Sequence, residues 1–111
     1  SSGYYAKLAS SGDYAKLASS GDSAKLASSG DYAKLASSGD SAQLEISGKY
    51  GIVANISYKG QGKGIIGTWI TLAEFDSNYK VKFVKTQQID GHIIKENVFY
   101  TLVNNKFKEV E

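Results

Sequence analysis

The N-terminal half of the chain alternates apolar and polar positions in short runs that stop and restart on a nine-residue schedule. Leucine stands at 8, 17, 26, 35 and 44, with Val53 in the next place, and glycine at 3, 12, 21, 30, 39 and 48. The unit is Ser-Ser-Gly-Asp-(Tyr/Ser)-Ala-Lys-Leu-Ala. A helix would turn through about 900° in one unit, sending successive leucines to opposite sides, and Gly beside paired serines would interrupt every second turn. The pattern is that of a strand. Ala6-type and Leu8-type side chains point to one face and Lys7-type side chains to the other, while Ser-Ser-Gly-Asp supplies a corner.

A strand this short cannot bury its apolar face alone. Stacked units can, and parallel strands in a continuous ladder make a β-solenoid. One unit is too tight a coil to enclose side chains, so two units are expected to form an 18-residue coil with two sides. The alternation Tyr14, Ser23, Tyr32, Ser41, Tyr50 then sets tyrosines along one side of the stack and serines along the other, each recurring about every 4.8 Å. Tyr5 departs from the rule, which asks for Ser there. Ala and Leu fill a thin core, and the degenerate stretches 46–54 and 55–63 continue the phase. Where the Lys position becomes Gln43 and then Ile52 the outward face turns apolar, and the C-terminal segment is expected to cover it.

From Thr68 the period changes. The runs 68–75, 79–89, 98–103 and 106–110 are β-rich and are separated by turn residues, with Asp90-Gly91 and Asn104-Asn105 as tight-turn dipeptides. The sequence therefore predicts an all-β chain: a parallel β-solenoid over 1–63, and over 64–111 a small antiparallel β-meander of about four strands that caps the open end of the stack. The glycine-rich stretch 60–67 is the hinge between them.

Composition narrows the chemistry. The absence of cysteine removes disulfides, thiolate metal sites and Cys nucleophiles. A formal charge of +2 does not point to nucleic acid, and Lys7, Lys16, Lys25 and Lys34 are balanced by Asp13, Asp22, Asp31 and Asp40. No run approaches the roughly 18 consecutive apolar residues of a membrane span. Gly60 to Gly67 resembles a phosphate loop only in its glycines, since it lacks the Lys-Ser/Thr ending and a following helix. His92 is the only histidine and reads as a polar turn residue. The nonapeptide period is shared with the calcium-binding β-roll, but this unit has one carboxylate and one glycine where that motif has paired glycines and a carbonyl-rich turn. Flat solenoid faces with hydroxyl rows can also order water, yet the outward face here carries Lys. No catalytic residue, cofactor or metal site is expected, and the chain does not read as an enzyme.

The array "SSGDYAKLASSGDSAKLASSG", running into "GKGIIGTWITLAEF" and a "DGHIIKENVFYTLVNNKFKEVE" tail, resembles uncharacterised bacterial and prophage repeat proteins over nearly its whole length. More distantly, its Ser-Gly-Asp corners are similar to the head repeats of YadA-type trimeric adhesins. The first resemblance implies the two-part organisation and no activity.

The expected function is structural: a rigid rod that presents a regular surface and self-assembles, as part of a fibre or of a cell-surface or phage appendage. The candidate interaction surface comprises Tyr14, Tyr32, Tyr50, Lys7, Lys16, Lys25 and Lys34. The candidate assembly edge comprises Gly3, Tyr4, Tyr5, Ala6 and Leu8, and is expected to continue into further repeats or to pair with another copy. The alternative is an adhesin-like module that binds a glycan or a surface protein through the tyrosine strip. Neither nucleic acid nor membrane insertion is expected.

Overall fold

The computed structural model describes residues 7–19 and 22–110. Each Lys-Leu-Ala-Ser tetrapeptide is a strand: Lys7–Ser10 (β1), Lys16–Ser19 (β2), Lys25–Ser28 (β3) and Lys34–Ser37 (β4). The degenerate units supply Gln43–Ile46 (β5), Ile52–Asn55 (β6) and Gln61–Lys63 (β7), and Trp69–Phe75 (β8) follows. Odd-numbered strands stack in one sheet and even-numbered strands in another. Lys7 pairs with Lys25 and Lys16 with Lys34, so a coil is 18 residues and contains two strands. The chain is an all-β solenoid of about four turns with antiparallel strands at its C-terminus.

Alternation decides what is buried. Ala24, Leu26, Ala33, Leu35, Ala42, Leu44 and Val53 are at most 1% exposed, and the lysines between them face solvent. The strand ends one residue later than the pattern suggests, so Ser28 and Ser37 also turn inward, and their buried hydroxyls have no hydrogen-bond partner. Such a group costs about 1–3 kcal/mol. Further along, larger residues take the serine places and glycines make room for them. Ile46 follows Ser28 in register, and a Cβ on Gly51 would lie 2.7 Å from Ile46 Cγ2. Asn55 follows Ser37, donates to the carbonyls of Ala42 and Gln61 at 2.8 Å each, and accepts from the Ser57 backbone and hydroxyl. A Cβ on Gly60 would collide with Asn55 and Ser57, and one on Gly62 would lie 2.6 Å from Ile70 Cδ1. Within the stretch expected to act as a hinge, Gln61–Lys63 is a solenoid rung, and Gly60 and Gly62 accommodate Asn55 and Ile70.

The corner is longer than Ser-Ser-Gly-Asp. Tyr14, Ser23, Tyr32, Ser41 and Tyr50 have φ between 55° and 61°, so the alternating residue belongs to the corner and not to the strand. A left-handed non-glycine residue costs roughly 1–2 kcal/mol. It is repaid by a ladder: Tyr14 N–H donates to the Asp31 carbonyl and Tyr32 N–H to the Lys49 carbonyl, both at 2.8 Å. Asp13 Oδ1 accepts the Asp31 N–H, and Asp31 Oδ1 the Lys49 N–H, at 3.0 Å each. Gly30 sits where a Cβ would strike the Gly12 carbonyl of the coil below, so the corner's glycine serves close stacking.

At the C-terminal end the antiparallel strands are shared between the two sheets. The β8 strand pairs in parallel with β6 and antiparallel with Val81–Gln88 (β9), extending the even sheet. Tyr100–Val103 (β10) and Lys106–Glu109 (β11) extend the odd sheet beyond β7. Asn104 and Asn105, at φ 53° and 61°, form the two-residue hairpin turn that their identities favour. The hairpins are clasped together. Glu74 on β8 accepts the Asn104 and Asn105 N–H groups at 2.9 and 3.0 Å, and Lys85 Nζ on β9 donates to the Asn105 carbonyl at 3.2 Å.

Candidate functional site

Two repeating surfaces follow from the 18-residue coil. The first is the tyrosine column at the corners that lead into the even strands. Tyr14 and Tyr32 have ring centroids 5.0 Å apart with 5° between planes, and Tyr32 and Tyr50 follow at 5.1 Å and 22°. Tyr32 is 46% exposed against 69% and 66% for its neighbours, because each of its faces lies against another ring. The column therefore presents ring edges and hydroxyls.

The four candidate lysines do not share a face. Lys7 and Lys25 are paired on the odd sheet, Lys16 and Lys34 on the even one. On the odd face the column continues as Gln43 and Gln61, whose side-chain amides bond at 3.2 Å. Beside them Lys63 is ion-paired to Glu45 at 3.6 Å and lies 5.1 Å from the Phe99 ring centroid, so Phe99 partly roofs this sheet.

The even face is the second surface. Register places Lys16, Lys34, Ile52, Trp69 and Gln88 in one column and Ala18, Ala36, Ala54, Thr71 and Thr86 in the next. Thr71 and Thr86 hydroxyls lie 2.9 Å apart. Ile52 is 41% and Trp69 47% exposed, so the cover expected over Ile52 is absent: the C-terminal strands prolong the sheets edge-on and do not fold across this face. Ile56 and Val84 add to the exposed apolar area. Neither column carries a carboxylate.

Of the candidate assembly edge, Gly3, Tyr4, Tyr5 and Ala6 lie outside the described residues, and Leu8 is half-buried. His92 is exposed in a loop gathered by Asp90, whose Oδ1 accepts N–H groups from His92, Ile93 and Ile94. Those bonds, that from His92 foremost, hold the Asp90 carboxyl below the usual aspartate range.

Sequence reading missed Trp69 as a surface residue in line with the lysines. The signal was hidden by register: Ile52 faces Trp69, 17 residues on, where every earlier pair is 18 apart. No family model matches the chain, and neither a curated protein nor a solved structure is significantly similar to it.

Proposed function

We propose that the protein is a structural module, a short stiff β-rod that associates with a second copy through the N-terminal end of its stack. One observation carries this reading. Leu8 and Leu17 of the first described coil are only partly buried, whereas Leu26 and Leu35 at equivalent positions one coil on are 1% exposed. Among the described residues β1 stands at the outer edge of the odd sheet, paired with β3. A second copy that pairs with this edge extends the ladder and covers Leu8 and Leu17.

Light scattering across a concentration series, with negative-stain microscopy of the same samples, tests the proposal. Concentration-dependent oligomers or fibres are expected, and Leu17→Lys should shift them to monomer. Monomer at every concentration would overturn it. The second reading, ligand binding through the tyrosine strip, draws on the exposure of Tyr14 and Tyr50 at the two ends of the stacked column. Replacing Tyr14, Tyr32 and Tyr50 together with Ser should then abolish binding and leave the fold.

A further inference from the structure

The even face differs from a solvated sheet surface in three ways that converge on one ligand chemistry. Its tall column is linear and graded, cationic at Lys16 and Lys34, then apolar at Ile52 and aromatic at Trp69. Rungs are about 4.8 Å apart, so the four side chains form a straight track parallel to the stacking axis. Beside it run the small side chains of the alanine column and the Thr71–Thr86 hydroxyl pair, so the surface flanking the tall column is made of methyl and hydroxyl groups. Neither column holds a carboxylate, so Lys16 and Lys34 are the charged groups in line on this face, and the nearest aspartates of their repeat lie in the corners.

We infer that this face binds an acidic polysaccharide, an extended chain of carboxylate-bearing pyranose rings that runs along the column. One sugar stacks on Trp69, whose indole has the apolar face and polar edge that such rings use. Carboxylates further along the chain meet Lys34 and Lys16 through charge-assisted hydrogen bonds. The threonine hydroxyls accept from or donate to ring hydroxyls. A nucleic acid is the poorer fit, because two lysines neutralise too few phosphates for useful affinity. A lipid surface is poorer too, because the lysines lie at one end of the apolar patch and do not ring it. The site uses the outward face of the even sheet and none of the tyrosines, so it does not depend on self-association, although Lys16 stands on the end strand β2.

The test is titration of the full chain with polygalacturonate, with neutral amylose and anionic phosphatidylglycerol vesicles as comparisons. Trp69 is the only tryptophan, so its fluorescence reports the site directly. Polygalacturonate should shift the emission and amylose should not. Trp69→Ala and Lys34→Gln should each weaken retention in polygalacturonate affinity gels by roughly tenfold, with Lys25→Gln on the opposite face without effect. An unchanged emission in the unsubstituted protein overturns the proposal whether or not the variants fold. So does equal loss from Lys25→Gln, which would mean unspecific charge attraction, and so does binding to the vesicles alone.

Discussion

The rings of Tyr14 and Tyr32 stack at 5.0 Å with their planes 5° apart, although both residues are held in left-handed backbone at the tightest point of the corner. The stack offsets the cost of that conformation, and it makes the column's contributions unequal. An aromatic pair contributes roughly 0.5–1.5 kcal/mol beyond its buried area. Tyr32 joins two pairs and Tyr14 one. Tyr32→Ser should therefore cost about twice as much as Tyr14→Ser in urea unfolding. The corner itself accepts serine, since Ser23 and Ser41 have the same φ.

Ile46 and Gly51 form a complementary pair that replaces Ser28 and Ala33 of the coil before. Gly51→Ala alone overpacks the core and should destabilise by about 1–3 kcal/mol. Adding Ile46→Ser restores the Ser28–Ala33 combination, so Ile46→Ser should cost less in the Gly51→Ala background than in the unsubstituted protein. A double-mutant cycle in urea measures the coupling, and strict additivity would show that the two side chains do not compete for the same space.

Stacking in register places like charges over one another: Lys7 with Lys25, Lys16 with Lys34, and Asp13 with Asp31. Directly opposed like charges destabilise a sheet, and salt screens them. The melting temperature should rise between about 0.05 and about 0.5 M NaCl. A fall over that range would mean that attraction between the lysine and aspartate columns outweighs repulsion within each.

Glu74 clasps the two C-terminal hairpins, and the N–H groups of Asn104 and then Asn105 hold its carboxyl below the ordinary glutamate range. A group whose folded value is depressed contributes stability above its unfolded value, and that contribution is lost as pH falls through the folded value. Glu74→Gln should therefore unfold at lower urea than the unsubstituted protein near neutrality. The difference should shrink below about pH 5 and vanish once the carboxyl is protonated. A difference independent of pH would mean that Glu74 acts through its shape and not its charge, and no difference at all would assign the clasp to Lys85.

The strand alternation, the 18-residue coil and the two-residue turn at Asn104-Asn105 were legible because each depends on local identity and spacing. The candidate site was less so. The tyrosine column followed from the alternation, but the direction of its ring faces did not, since stacking depends on where the corner points each side chain. Ile52 read as covered because an apolar break in a lysine column says only that the position avoids charge. Whether anything folds over it is decided by where later strands go.

The chain's own pattern determined the solenoid, its period, its Ala and Leu core and the antiparallel character of its C-terminal strands, because a period of two within a period of nine admits one way to bury the apolar positions. Only the tertiary structure decided that the C-terminal strands would lengthen both sheets, that Ile46, Asn55 and Ile70 would be housed by distant glycines, and that Trp69 would stand in line with Lys34 on an open face. Those outcomes depend on register across coils, where a single missing residue between Ile52 and Trp69 changes which side chains become neighbours.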